Sequence, residues 1–394
     1  MIRFCPGSVN WGAIIHRTHK GLAALGGLAL IAAASTACEP GKVGTAAKVQ
    51  RAFDSLGKQK AYSAEMSLDA NAEKIYDVLK DTDDFDRGDA DMLAGLKYSF
   101  SATYDKPLKD VTDKDDKNAK IAYKVVRGGK QLVEVRSTDG KSYVRTDLKE
   151  VVSLVQKSGK DGGGSELGAP GAVIDEMMKK ADRLPADMGG VRSALKGEWV
   201  VLDNAAAEEF AKSQGTGDTD GTPNPFSPDG KSQKRFLDAF RKALGDNAHF
   251  KDAGKKNGVD HVLVTVPAKK VAEDVKEGLK PLKDKLNPFG KQDKGKGDSL
   301  EDLPEKLTVD VAIKNGTLTG LTVDAAQLDK KAKGELPLTI TVKNGDAAAV
   351  EAPSGAQELK PQDLLRALMT MGADRLGDEG GAHGRPEKTG FEGI

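Results

Sequence analysis

The sequence predicts an α+β fold, a curved antiparallel sheet with helices gathered on one face. Two sets of alternating strand-like runs carry that reading, one over residues 62–146 and one over 307–343. Two-residue turn signals break both sets, and helical stripes lie between them. Strands joined in series by short turns form a meander, because parallel neighbours need a long crossover. Strands, then helices, then strands therefore put the helices together against one antiparallel sheet.

In the first set, Tyr62, Ala64, Met66 and Leu68 alternate with polar neighbours, and so do Tyr98, Phe100, Ala102 and Tyr104. Three tighter runs follow: Ile121–Arg127, Gln131–Arg136 and Lys141–Thr146. Gly128-Gly129 and Asp139-Gly140 separate them, both dipeptides suited to two-residue hairpin turns. The second set is Leu307–Lys314, Thr317–Val323 and Leu336–Lys343, with turns at Asn315-Gly316 and Asn344-Gly345.

The helical stripes have the spacing of one helix face. They are Leu148, Val151, Val152, Leu154 and Val155; Val173, Ile174, Met177 and Met178; Phe236, Leu237, Phe240 and Leu244; and Val271, Val275 and Leu279. Short strands introduce two helices: Trp199–Leu202, with Asp203 or Asn204 as cap, and Val262–Val266 ahead of Pro267. Asp81–Asp91, Ser158–Ala169, Gln214–Gly230 and Lys283–Asp302 read as loops, and the chain beyond Gly372 is too polar to pack.

The N-terminus has the layout of a secretory signal. Arg17 and Lys20 precede an uncharged Ala/Gly-rich run, Gly21–Ala34, then Ser35, Thr36 and Ala37, then Cys38. A cysteine directly after small residues is the pattern of a bacterial lipobox, in which the thiol is acylated. Ser35 stands where such boxes usually carry Leu, while Thr36 and Ala37 fit. A plain secreted chain and an uncleaved anchor are the competing readings. Gly21–Ala37 is 17 residues, at the bottom of the roughly 17–25 that span a bilayer core.

Charge and cysteine content narrow the function. The chain has 60 Lys+Arg and 60 Asp+Glu, and residues 1–37 hold Arg3, Arg17 and Lys20 with no acid. The remaining 357 residues thus carry 57 basic and 60 acidic side chains. A net charge of −3 is no footprint for nucleic acid, which favours a strongly basic surface. The two cysteines are Cys5 and Cys38, so removal of the signal leaves one thiol. That excludes an internal disulfide and a zinc–thiolate set, and points to lipid attachment at Cys38.

No catalytic constellation emerges. Val311-Ala312-Ile313-Lys314 matches a kinase lysine strand without the accompanying loops, and Gly230-Lys231-Ser232 lacks the glycine of a phosphate-binding loop. Asp84, Asp86, Gly88, Asp89 and Asp91 alternate like a calcium loop but miss its glycine spacing and closing Glu, so a solvated acidic loop is the simpler reading. Asp260 and His261 are strand neighbours on opposite faces, which rules them out as a catalytic dyad. No metal, cofactor or enzymatic activity is expected.

The order of elements does resemble a family. It runs from a strand after the lipobox (Ala61–Leu68) through the meander with Lys141–Asp147 to Gly197-Glu198-Trp199-Val200 leading into a helix. Val259–Val266 then enters the helix Ala268–Leu279, Leu303–Gly316 leads a strand pair, and the last strand ends at Glu351-Ala352-Pro353. This is similar to the actinobacterial lipoproteins related to LprG and LppX, which share the fold of LolA-type carriers. It spans about Thr45–Pro353, and the acidic insert before Tyr98 and the Lys283–Asp302 linker depart from a compact version.

The resemblance implies a strongly curved sheet, a half-barrel, with helices on its concave face and an apolar cavity that in some members holds lipid acyl chains. The candidate cavity wall is Met66, Leu68, Phe100 and Val133 on strands, with Val152, Val155, Met177, Phe236 and Phe240 on helices. The expected organisation is a signal at 1–37, a tether at 38–44, the carrier domain at 45–360, a short helix at 361–371 and a disordered tail at 372–394. Such a chain would sit as a monomer in the cell envelope, held by acylated Cys38 in the outer leaflet of the cytoplasmic membrane and facing the exterior. A non-enzymatic interaction or sensor lipoprotein with a filled core is the alternative.

Overall fold

In the computed structural model, residues 40–82, 85–112, 115, 118–157, 178–213, 248–269, 304–329 and 331–367 are described. Four tight turns set the register of the sheet. Gly128-Gly129 joins β3 (Lys120–Arg127) to β4 (Lys130–Thr138), and Asp139-Gly140 joins β4 to β5 (Lys141–Thr146). Asn257-Gly258 joins β7 (His249–Lys256) to β8 (Val259–Pro267), and Asn315-Gly316 joins β9 (Lys306–Lys314) to β10 (Thr317–Asp324). Both residues of each pair have φ between 50° and 81°, the geometry whose twist matches that of the flanking strands.

The remaining strands are β1 (Ala61–Leu68), β2 (Leu96–Thr103), β6 (Val200–Asp203), β11 (Pro337–Asn344) and β12 (Gln357–Glu358). All twelve form one sheet in the order β12-β6-β5-β4-β3-β2-β1-β11-β10-β9-β8-β7. Every pairing is antiparallel except β12 with β6. The two expected meanders are thus halves of a single sheet, joined where β1 pairs with β11.

The α+β reading holds: a large, mostly antiparallel sheet with helices. The half-barrel is corrected, because the sheet is open, its outermost strands are β7 and β12, and it is not strongly curled. Among the described residues its helices pack as separate cores over different strands.

The first core sits under a helix that the sequence reading omitted. Helix α1 (Pro40–Gly57) begins within the stretch expected to be tether. Val49, Ala52, Phe53 and Leu56 recur at helical spacing and are buried against Val262, Val311, Ile313, Leu318, Leu321, Ile340 and Val342. Burying each large side chain stabilises by roughly 1.5–3 kcal/mol.

Two further helices missing from the reading, α2 (Ala72–Leu79) and α3 (Arg87–Leu93), build a smaller core from Ile75, Val78, Ala90 and Leu93 with Leu336. Helix α3 corrects the acidic loop. Asp86 accepts from the Asp89 N–H at 2.9 Å, and the Asp89 carboxylate accepts from the Asp86 N–H at 3.2 Å, a capping box. Carboxylates near a helix N-terminus also complement its dipole, so these acids have a structural use.

The other end of the sheet has its own core. Helix α4 (Leu148–Lys157) follows the predicted stripe, and α5 (Gly189–Leu195) lies against β12. A Cβ on Gly190 would stand 2.0 Å from the Glu358 carbonyl oxygen, so only glycine permits that approach. Helix α6 (Asn204–Ser213) is capped as expected, its Ala206 N–H donating to Asp203 Oδ1 at 3.0 Å. Residues 361–367 are helical. The stripes at 173–177, 236–244 and 271–279 lie outside the described residues.

Candidate functional site

Strand register places the apolar side chains of both halves on one face. Val342, Ala64, Phe100, Tyr123, Val135, Val144 and Val200 oppose one another in a row across β11, β1, β2, β3, β4, β5 and β6. A second row runs from Val262 through Val311, Leu321, Ile340, Met66, Tyr98 and Val125 to Val133. Alternation then sends their neighbours to the other face. That face carries Thr265, Thr308, Thr322, Thr339, Glu65 and Ser99, linked by side-chain hydrogen bonds within pairs.

Helices cover both ends of the first row and the β8–β11 end of the second. Ala64, Met66 and Val342 pack into the α1 core. Val144 and Val200 pack into the far core with Leu184, Met188, Val191 and Leu195. Between them Phe100, Tyr123, Val125 and Val133 are only half-buried, and Tyr98 keeps 38% of its surface exposed. Among the described residues, none of these five belongs to a buried cluster.

The middle is an aromatic band. Ring centroids are 5.7 Å apart for Tyr62 and Phe100, 5.1 Å for Phe100 and Tyr123, and 6.3 Å for Tyr98 and Tyr123, all tilted. Tilted pairs at these distances are favourable beyond their area burial. Burial pushes the Tyr62 and Tyr123 hydroxyls well above the usual phenol range, with neighbouring phenols adding to the rise. Burial also pushes Tyr98 up to about 12. Tyr98 keeps 38% of its surface exposed, and that exposed edge tempers the shift.

The sequence-selected wall residues divide accordingly. Met66, Leu68, Phe100 and Val133 share the apolar face, Met66 and Val133 in one row and Phe100 in the next. Leu68 opposes Leu338 and leans toward the α2–α3 core. Val152 is buried on α4. The Val155 side chain, Met177, Phe236, Phe240 and Cys38 lie outside the described residues. Sequence reasoning left Tyr62, Tyr98, Tyr123 and Val125 off the wall, although Ile121, Tyr123 and Val125 alternate and the Gly128-Gly129 turn fixes their register.

On the opposite face, His261 Nδ1 lies 2.8 Å from Asp310 Oδ2, a cross-strand pair that reading Asp260 as the neighbour missed. Glu134, 7% exposed at its side chain, holds Arg136 at 2.7 Å and Arg145 at 3.2 Å. Both guanidinium groups lie over Trp199, at 5.0 and 4.8 Å. Among the described residues no group of three metal-type ligands occurs, and no helix is long and apolar enough to cross a membrane.

The fold and this face define an α+β protein with a two-faced, mostly antiparallel sheet and a half-buried aromatic band. No family model matches the chain, and no curated protein matches it. Among solved structures, the chain is similar to the crystal structure of Mycobacterium tuberculosis lipoprotein LppX, at 10% identity and a TM-score of 0.28. That match covers 79% of this chain and 100% of LppX, a member of the group that the element order resembles.

Proposed function

We propose that this chain is a non-enzymatic, lipid-anchored envelope protein that binds an apolar ligand, the acyl chains of an envelope lipid, against the aromatic band. The observation that carries the reading is that the described helices leave the aromatic band in the middle of the apolar face only half-buried. An apolar face that packs into the α1 core on one side and into the far core at Val144 and Val200 stays half-buried at Phe100, Tyr123, Val125 and Val133. Each methylene buried there is worth roughly 0.8 kcal/mol, so a lipid tail binds without any polar site residue. Acylation of Cys38 would hold the protein at its donor membrane, and more than one chain is needed for stable anchoring.

Native mass spectrometry of the purified protein tests the ligand. Co-purifying lipid supports the reading. A chain isolated from its own envelope with no bound lipid returns it to the interaction or sensor class. Acylation is tested separately with a fatty-acid probe: the parent should label and Cys38→Ala should not.

A further inference from the structure

The free edge beside α1 carries a local excess of positive charge, in a chain whose total charge is balanced. Strand β7 is outermost in the sheet, and its Lys251, Lys255 and Lys256 are exposed. Lys314 is exposed at the end of β9, two strands inward. Among the described residues, the acids here are already paired. Asp252 pairs with Lys48 at 3.0 Å, while Asp260 lies 3.8 Å from Lys48 and 3.6 Å from Lys255. Asp310 is occupied by His261. Lys251, Lys256 and Lys314 enter no ion pair among the described residues.

The course of α1 decides what meets this edge. Lys48 reaches β7 and β8, and Ser55, seven residues on, stands 3.2 Å from Thr317 at the start of β10. The helix therefore crosses the strands from the edge inward, and its N-terminal end points out over β7. Cys38 precedes Pro40 by two residues, a reach of at most about 7 Å along the chain.

We propose that the β7 edge, through Lys251, Lys256 and Lys314, rests on the anionic phospholipid headgroups of the membrane that holds Cys38. The choice of a bilayer rests on the acylation reading above. An anchor two residues ahead of α1 tethers the β7 edge to that membrane, and charges attract there once they come within a Debye length of the surface, about 8 Å at physiological salt. Each basic residue there strengthens binding roughly fivefold. Lysines on an edge strand also block edge-to-edge pairing. Lysines with that role alone would bind no vesicle.

The full chain carrying Cys38→Ala, which cannot be acylated, is sedimented with two kinds of vesicle. One contains phosphatidylglycerol and phosphatidylcholine, the other phosphatidylcholine alone. The readout is the binding to the phosphatidylglycerol vesicle lost on removing the edge lysines, because residues 1–37 carry Arg3, Arg17 and Lys20 and favour that vesicle by themselves. The expected result is binding that depends on phosphatidylglycerol, weakens with salt and falls roughly a hundredfold in Lys251→Gln/Lys256→Gln/Lys314→Gln. A control, Lys124→Gln/Lys141→Gln/Lys343→Gln, removes the same charge elsewhere and should leave binding unchanged. Equal binding to both vesicles, or equal loss in the two triple variants, overturns the proposal. Failure here leaves fatty-acid labelling of Cys38 untouched, so the two readings fall separately.

Discussion

Phe100 and Tyr123 face each other across β2 and β3, their ring centroids 5.1 Å apart and their planes at 51°. They stand in the middle of a row of opposed residues whose two ends are sealed by different helices. Neither ring is fully buried. The chain thus places three adjoining aromatic rings, Tyr98, Phe100 and Tyr123, between the cores that its described helices build.

Val125→Trp asks whether that region is hollow. Lost lipid uptake with an unchanged melting temperature is the expected result, because the new ring occupies the ligand's space. In a packed layer the same change would cost roughly 1–3 kcal/mol by overpacking, read as a lower denaturant midpoint.

Phe53→Ala tests the docking of α1. Phe53 is 6% exposed and sits among Val262, Ile313 and Leu318. Its loss should cost about 3–5 kcal/mol in urea denaturation, with early hydrogen exchange in α1. Arg51→Ala, on the exposed side of the same helix, should change stability by less than about 0.5 kcal/mol.

Glu134→Gln removes the charge shared by Arg136 and Arg145. A loss of about 1–3 kcal/mol is expected, toward the lower end because both guanidinium groups keep contact with water. A double-mutant cycle with Arg145→Gln should return a coupling energy clearly different from zero. Additive effects would show that the contact is energetically idle.

The tyrosines predict alkaline behaviour. Tyr98 is raised to about 12, and Tyr62 and Tyr123 are raised further, against about 10 in an unfolded chain. Below pH 10 both states hold the phenolic proton and the contribution is intact. Between about 10 and 12 the unfolded chain ionises while folded Tyr98 does not, so stability falls as pH rises. Phenolate absorbance should therefore show Tyr62 and Tyr123 titrating with the unfolding transition, and early titration of all six tyrosines would contradict the burial of the band.

How much could be read in advance depended on where the signal resided. The β3–β5 and β9–β10 hairpins were legible because turn residues with positive φ and strict alternation are local. Strand β7 was not: an edge strand needs no apolar face, and only Phe250 of its side chains packs against the α1 core. Its Asn257-Gly258 turn was the available clue. Helix α1 was readable from Val49, Ala52, Phe53 and Leu56 but lay beside the anchor signal, where a tether was expected. The capping box at Asp86 and Asp89 was hidden inside an acidic run. For the site, alternation put Met66, Phe100 and Val133 on one face. Which strand of each half would meet at β1–β11, and which helices would stand over the band, depend on contacts far apart in sequence.

The seam between β1 and β11 governs how this molecule can come into being. Asp69 and Thr339, hydrogen bonded at 2.7 Å just beyond β1, are 270 residues apart. Strand β1 can zip onto β2 early, but its other edge stays bare until almost the whole polypeptide has emerged. High contact order of this kind slows folding, and a bare strand edge invites mispairing in the meantime. A chain delivered N-terminus first would therefore spend its longest vulnerable interval with the Ala61–Leu68 edge open.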